Sequence, residues 1–125
     1  MKPSFIALLL VSAVTAGCGD DPPTAPTPRP LFKETITEVF VRAQSSGCVT
    51  FRQEAAGPAS AQVFGALSPI ELGTGTCTSP GTVVTRAERG DLSVTLAVGD
   101  HYVRFQHPNN YDFTYRVTLH YLILV

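Results

Sequence analysis

The chain has 125 residues, nine basic against ten acidic side chains, a net charge of −1 and three cysteines. That balance excludes a partner bound through massed positive charge, nucleic acid above all. The length leaves room for one small domain once the first thirty residues are set aside.

The N-terminus carries the parts of an export signal. Lys2 supplies the positive charge, Phe5 to Val14 forms an apolar run, and Thr15, Ala16 and Gly17 are small. An apolar stretch this short falls below the roughly 18–20 residues that span a bilayer, which points to a cleaved signal peptide rather than a retained helix. Residues 19–30 follow with five prolines (22, 23, 26, 28 and 30) and almost no large apolar side chain. Helix is excluded there. Polyproline II is expected, reaching about 35 Å at ~3.1 Å per residue, as a stalk.

From Leu31 onward the pattern is strand-rich. Glu34 to Arg42 is dense in β-branched and aromatic residues. Ile36 falls on one face and Val39 and Val41 on the other, a parity change that suggests a bulge. Ser45-Ser46-Gly47 reads as a turn before a short strand at Cys48 to Arg52. Glu54 to Gln62 contains alanines, but Gly57 and Pro58 break any helix. Gln62 to Leu67 is a further short run. Ser68-Pro69, Gly73-Thr74-Gly75 and Ser79-Pro80-Gly81 punctuate the middle, and Thr82 to Ala87 is expected as a strand.

Leu92, Val94 and Leu96 alternate with Ser93 and Thr95, and Gly99-Asp100 makes a tight turn. Val103 and Phe105 then alternate with Tyr102, Arg104 and Gln106. Phe113 to Val125 keeps period two for about a dozen residues, with Tyr115, Val117 and Leu119 on one face and Arg116, Thr118 and His120 on the other. Its end, Leu122 to Val125, is apolar on both faces and needs a central or covered place in a sheet. Seven to eight short strands separated by turn residues predict an all-β fold, a small antiparallel β-sandwich.

Two family resemblances follow from these residues. Thr15-Ala16-Gly17-Cys18 after the apolar run resembles the signal of bacterial lipoproteins. It implies a signal peptide over residues 1–17 and a lipid-anchored, proline-rich segment over 18–30, ahead of a domain at 31–125. Cys18 would carry a diacylglyceryl thioether and an amide-linked fatty acid such as palmitate. The family favours Leu where Thr15 stands. Gly19, in place of an Asp after the cysteine, implies the outer membrane by the same resemblance. Lipidation of Cys18 would resolve the odd thiol count and leave Cys48 and Cys77 to form a disulfide in an oxidising compartment. The second resemblance covers Leu92 to Tyr121. Leu96, Gly99, Tyr102, Val103, Tyr115 and Leu119 sit where the last strands of bacterial pre-peptidase C-terminal domains carry such residues. It implies a jelly-roll-like sandwich.

Catalytic signatures are absent from the sequence: no nucleophile elbow, HExxH, Walker loop or dinucleotide fingerprint occurs. Ser46 beside Gly47 reads as a turn former. His101 and His107 share a face but lie about 20 Å apart in an extended strand, too far to share a metal. No metal or cofactor is expected. The most ligand-like segment is His107-Pro108-Asn109-Asn110-Tyr111-Asp112, where amides, a carboxylate and an aromatic ring could meet a sugar. Arg104 and Arg116 are expected to be solvated or paired with carboxylates. The sequence thus predicts a non-enzymatic, lipid-anchored envelope protein working through protein or envelope contacts, with a carbohydrate-binding module as the alternative.

Overall fold

A computed structural model describes residues 27–125. The expected signal segment, Cys18 and most of the proline-rich stretch lie outside the described residues. The rest forms eight strands: β1 Pro30–Val41, β2 Ser45–Gln53, β3 Gly57–Phe64, β4 Ile70–Gly75, β5 Pro80–Ala87, β6 Asp91–Leu96, β7 Gly99–His107 and β8 Phe113–Leu124. They build two four-stranded antiparallel sheets, ordered β1-β8-β3-β6 (sheet A) and β2-β7-β4-β5 (sheet B). Every connection except the β4–β5 hairpin carries the chain from one sheet to the other, the interleaving of a jelly roll. The expected β-sandwich is therefore the fold.

The core lies between the sheets and follows from period-two alternation. Sheet A contributes Ala59, Ala61 and Val63 from β3, Leu92 and Leu96 from β6, and Tyr115, Val117 and Leu119 from β8. Sheet B contributes Phe51, Ile70, Leu72, Val103 and Phe105. Each large apolar side chain so buried stabilises the fold by roughly 1.5–3 kcal/mol relative to exposure. Phe105 and Tyr115 meet edge-on across the sandwich at 4.9 Å.

Several strand expectations hold and several are corrected. β8 runs as expected and lies in the sheet interior, between β1 and β3, but β3 pairs only with residues 116–120, and of the two-faced apolar end Leu122 is buried while Leu124 and Val125 stay exposed. Gln53 clamps that end: it accepts the Leu122 N–H (2.9 Å) through Oε1 and donates from Nε2 to the Gly57 carbonyl (3.0 Å). The bulge expected in β1 is absent, for β1 pairs with β8 in unbroken register from Pro30↔Leu124 to Val41↔Phe113. Its parity change arises because Phe32, Ile36 and Phe40 point to the outside of the sheet, not inward. The turn expected at Ser45-Ser46-Gly47 falls earlier, at Ala43-Gln44, with Gln44 in the left-handed region at φ 54°. Gly47 belongs to β2 because the Phe105 ring lies over it, where a Cβ would collide.

The Gly73-Thr74-Gly75 segment, expected as punctuation, is the end of β4. Gly73 is fully in the sheet because Tyr102 of β7 packs over it, and a Cβ there would stand 2.6 Å from the Tyr102 hydroxyl. The run expected over Gln62 to Leu67 instead begins at Gly57. Small residues, Ala59 and Ala61, hold the inward positions that large ones usually mark.

Cys48 and Cys77 form a disulfide with a Cα–Cα distance of 5.9 Å. Cys48 is in β2, and Cys77 is at the tip of the β4–β5 hairpin. The tip is also fixed by the Cys77 N–H donating to Thr50 Oγ1 at 3.0 Å. The hairpin is thereby drawn across β7 to β2, and Tyr102, although on the outer face of sheet B, is only 1% exposed.

Candidate functional site

The three histidines fall into three different environments. His101 and His107 point into the sandwich from opposite ends of β7, whereas His120 is on the outer face of sheet A. They do not converge, and among the described residues no group of His, Cys, Asp or Glu could hold a metal.

His107 organises the loop that the sequence singled out. Its Nε2–H donates to the Tyr111 carbonyl, which can only accept, so Nδ1 is left to accept the Tyr115 hydroxyl. Both ring nitrogens are spent and the ring is buried, packed against Tyr111, Phe113 and Tyr115. Burial, with a smaller contribution from neighbouring Tyr111, pushes the Tyr115 hydroxyl above its usual range. His107 is thus a structural residue rather than a ligand-facing one. The loop is further pinned to the β1–β2 turn: Asp112 Oδ1 accepts the Ala43 N–H (2.9 Å), and the Asn109 carbonyl accepts the Gln44 N–H (2.9 Å). Asn109 Nδ2 donates to the Tyr111 hydroxyl at 3.3 Å. Asn110 and Tyr111 are exposed and Asn109 is half-buried, beside a cavity of only about 40 Å³ between the loop and the Gly65–Leu67 segment. That volume holds about one water, so the loop offers an exposed ring and amides but no enclosed pocket.

The larger surface feature was not legible in the sequence. Register alignment places Glu34, His120, Ser60 and Ser93 in one transverse row across all four strands of sheet A. His120 Nε2 donates to Glu34 Oε2 at 3.0 Å, and the other nitrogen, Nδ1, is 3.4 Å from Ser60 Oγ. The order hydroxyl–imidazole–carboxylate has the logic of a nucleophile, a base and an orienting acid. Two features argue against catalysis. The His120 and Glu34 side chains are 43% and 55% exposed, so water screens the pair. Ser60 also sits inside a regular ladder between β6 and β8, so neighbouring backbone N–H groups are committed to strand pairing rather than to a developing oxyanion. Beside the row lies a shallow groove of about 420 Å³ lined by Phe32, Pro58, Ser60, Ser93 and Thr95.

A second feature of the same face is an apolar column on β1. Phe32, Ile36 and Phe40, four residues apart, are 55%, 59% and 62% exposed. Period two puts all three on the outer side of the edge strand. Arg116 of β8 is exposed, in register with Glu38 on this face, and Arg104 on sheet B pairs with Glu71 at 3.5 Å, so one arginine is solvated and the other paired with a carboxylate, as expected. Compared with known protein-family models and with curated proteins, the chain matches none.

Proposed function

We propose that this protein is a lipid-anchored, non-enzymatic component of a bacterial cell envelope that works by contact through the outer face of sheet A. The observation that carries the contact surface is the exposed column Phe32–Ile36–Phe40 on an edge strand. Three aligned large apolar side chains, each more than half exposed, are unusual on a monomer surface and mark a surface used by something else. The lipid attachment at Cys18 rests on the resemblance of residues 15–18 to lipoprotein signals, and the proline-rich stretch would hold the sandwich clear of the outer membrane. Incorporation of a labelled palmitate in the wild-type chain, lost in Cys18→Ala together with membrane association, is the expected result. A wild-type chain that is released by salt and carries no label contradicts the anchor.

A glycan is a second reading, favoured by the groove on this face. Phe32 offers a ring to a sugar, and Ser60, Ser93 and Thr95 offer hydroxyls around it. A glycan at about 100 times its Kd would add about 2.7 kcal/mol of stability and raise the melting temperature by several degrees. No shift across a panel of envelope glycans would remove this reading and leave the contact reading in place.

A further inference from the structure

We infer that the contact made by β1 is with β1 of a second copy of this chain, in antiparallel register centred on Ile36; this rests on the contact reading above. The strand has the properties of an unguarded edge. It is twelve residues long, free of bulges and, among the described residues, paired on one side only, with β8. Protein edges are normally blunted by shortness, bulges, proline or inward charges. Sheet A's other edge, β6, is six residues long, and β5 at one edge of sheet B pairs through register shifts. In β1 the one proline, Pro30, stands at the first position, where it does not interrupt the edge, and the one inner-face charge, Lys33, stands near the same end with its side chain exposed, leaving residues 34–41 without an inward charge.

The sequence of the strand is self-complementary. Its outer face reads Phe32, Glu34, Ile36, Glu38, Phe40. Turned end for end about Ile36, that list maps onto itself: Ile36 meets Ile36 of the other copy, and each Phe32 meets a Phe40. On the inner face Leu31 meets Val41, Thr35 meets Thr37, and the alkyl stem of Lys33 lies against Val39. An antiparallel pair keeps directly opposed side chains on one face, so this symmetry is the one a two-fold dimer requires. A partner of different sequence would have no need of it. The one unfavourable match is Glu34 against Glu38, and each of these carboxylates has a basic residue behind it on β8. Glu34 accepts from His120 at 3.0 Å, and Glu38 lies opposite Arg116. The row across both copies therefore runs base, acid, acid, base, each acid flanked by a basic residue on its own sheet. Two glutamates within the apolar column also argue against an anionic lipid surface as its occupant.

The assembly would be one continuous eight-stranded sheet, β6-β3-β8-β1 joined to its two-fold mate, with an apolar strip of four phenylalanines and two isoleucines on its outer face. Strand addition supplies the backbone hydrogen bonds and the side chains set the register. The two Pro30 residues would emerge roughly 40 Å apart, from ~3.4 Å per residue over the paired length. Each copy would thus bring its own tether, and tethering in one membrane raises the effective concentration of the pair.

The full chain, expressed with its signal and oxidised in isolated membranes, tests the register directly. Ile36→Cys should give a disulfide-linked dimer. Phe32→Cys alone and Phe40→Cys alone should not, while coexpressing the two should restore the crosslink. The parent chain is the control for Cys18, Cys48 and Cys77. If Ile36→Cys crosslinks to a different protein, the self-pairing is overturned but the contact reading stands. If Ile36→Cys forms no crosslink and its new thiol is freely modified by maleimide in membranes, both are overturned. Equal crosslinking by all three single variants overturns the register and, with it, the self-complementarity on which the dimer rests.

Discussion

Buried polar side chains set the local geometry of this fold, and His107 is the clearest of them. It holds the Tyr115 hydroxyl and the Tyr111 carbonyl at once, from a buried position. His107→Ala would leave both partners unsatisfied and open a cavity. A loss of roughly 2–4 kcal/mol is expected by chemical denaturation. Tyr115→Phe, which removes one hydrogen bond and little volume, should cost only about 1–2 kcal/mol. His101 makes a different prediction. Burial lowers its pKa below 6.5, partly opposed by its hydrogen bond to the Gly99 carbonyl and by Asp100. The unfolded chain then binds the proton more readily than the folded one. The contribution of His101 is fully present above about pH 6.5 and is lost as the pH falls through the lower, folded value. Melting temperatures of His101→Phe should decline less steeply over that acid window than those of the wild type. An unchanged slope would show that the ring does not titrate differently in the two states. None of these roles was readable from the sequence, where the histidines differ only in position. What separates them is the sheet and face for His120, and the opposite ends of β7 for His101 and His107.

At the scale of elements, close packing against glycine and the outer-face disulfide decide the shape of sheet B. Gly73→Ala should destabilise by about 1–3 kcal/mol, because the added methyl meets the buried Tyr102 ring, which the disulfide-linked hairpin tip holds in place. Reducing Cys48–Cys77 opens a loop of 29-residue separation. It should cost about 3–4 kcal/mol in the chain-entropy account and expose Tyr102, visible as a change in near-ultraviolet circular dichroism. A reduced protein with unchanged stability would contradict that role. β1, β2 and β5 were legible as strands with approximate bounds, and β6, β7 and β8 most cleanly, from their alternation of large apolar residues. β4 was hidden because Gly73 and Gly75 look like turn residues until Tyr102 is known to occupy the space above Gly73. β3 was displaced because Ala59 and Ala61 give a weak hydrophobic signal, their small size matching the width of the core rather than any propensity. In β1, the odd parity of Ile36 was visible, but its meaning was a surface column and not a bulge. Reading it needed the pairing with β8. The disulfide was legible from the cysteine count because the resemblance of residues 15–18 to a lipoprotein signal set Cys18 apart and left Cys48 and Cys77 as a pair.

The whole molecule combines a sandwich that is complete in its core with one sheet face that is not complete at its surface. Sheet B closes its outer face with the disulfide, Tyr102, and the Arg104–Glu71 and Arg52–Asp100 pairs. Sheet A leaves Phe32, Ile36 and Phe40 in water beside the Glu34–His120–Ser60 row. The transverse row and the groove were beyond the reach of the sequence, since the residues come from β1, β3, β6 and β8 and meet only through strand order. The asymmetry between the faces is the physical basis for assigning contact to sheet A. Photocrosslinking in the native envelope measures it most directly, with the reactive side chain placed at Phe40 in one variant and at Val84, an exposed apolar position on β5, in the other. The account predicts adducts from position 40 and none from position 84. Adducts from position 84 with none from position 40 would contradict it.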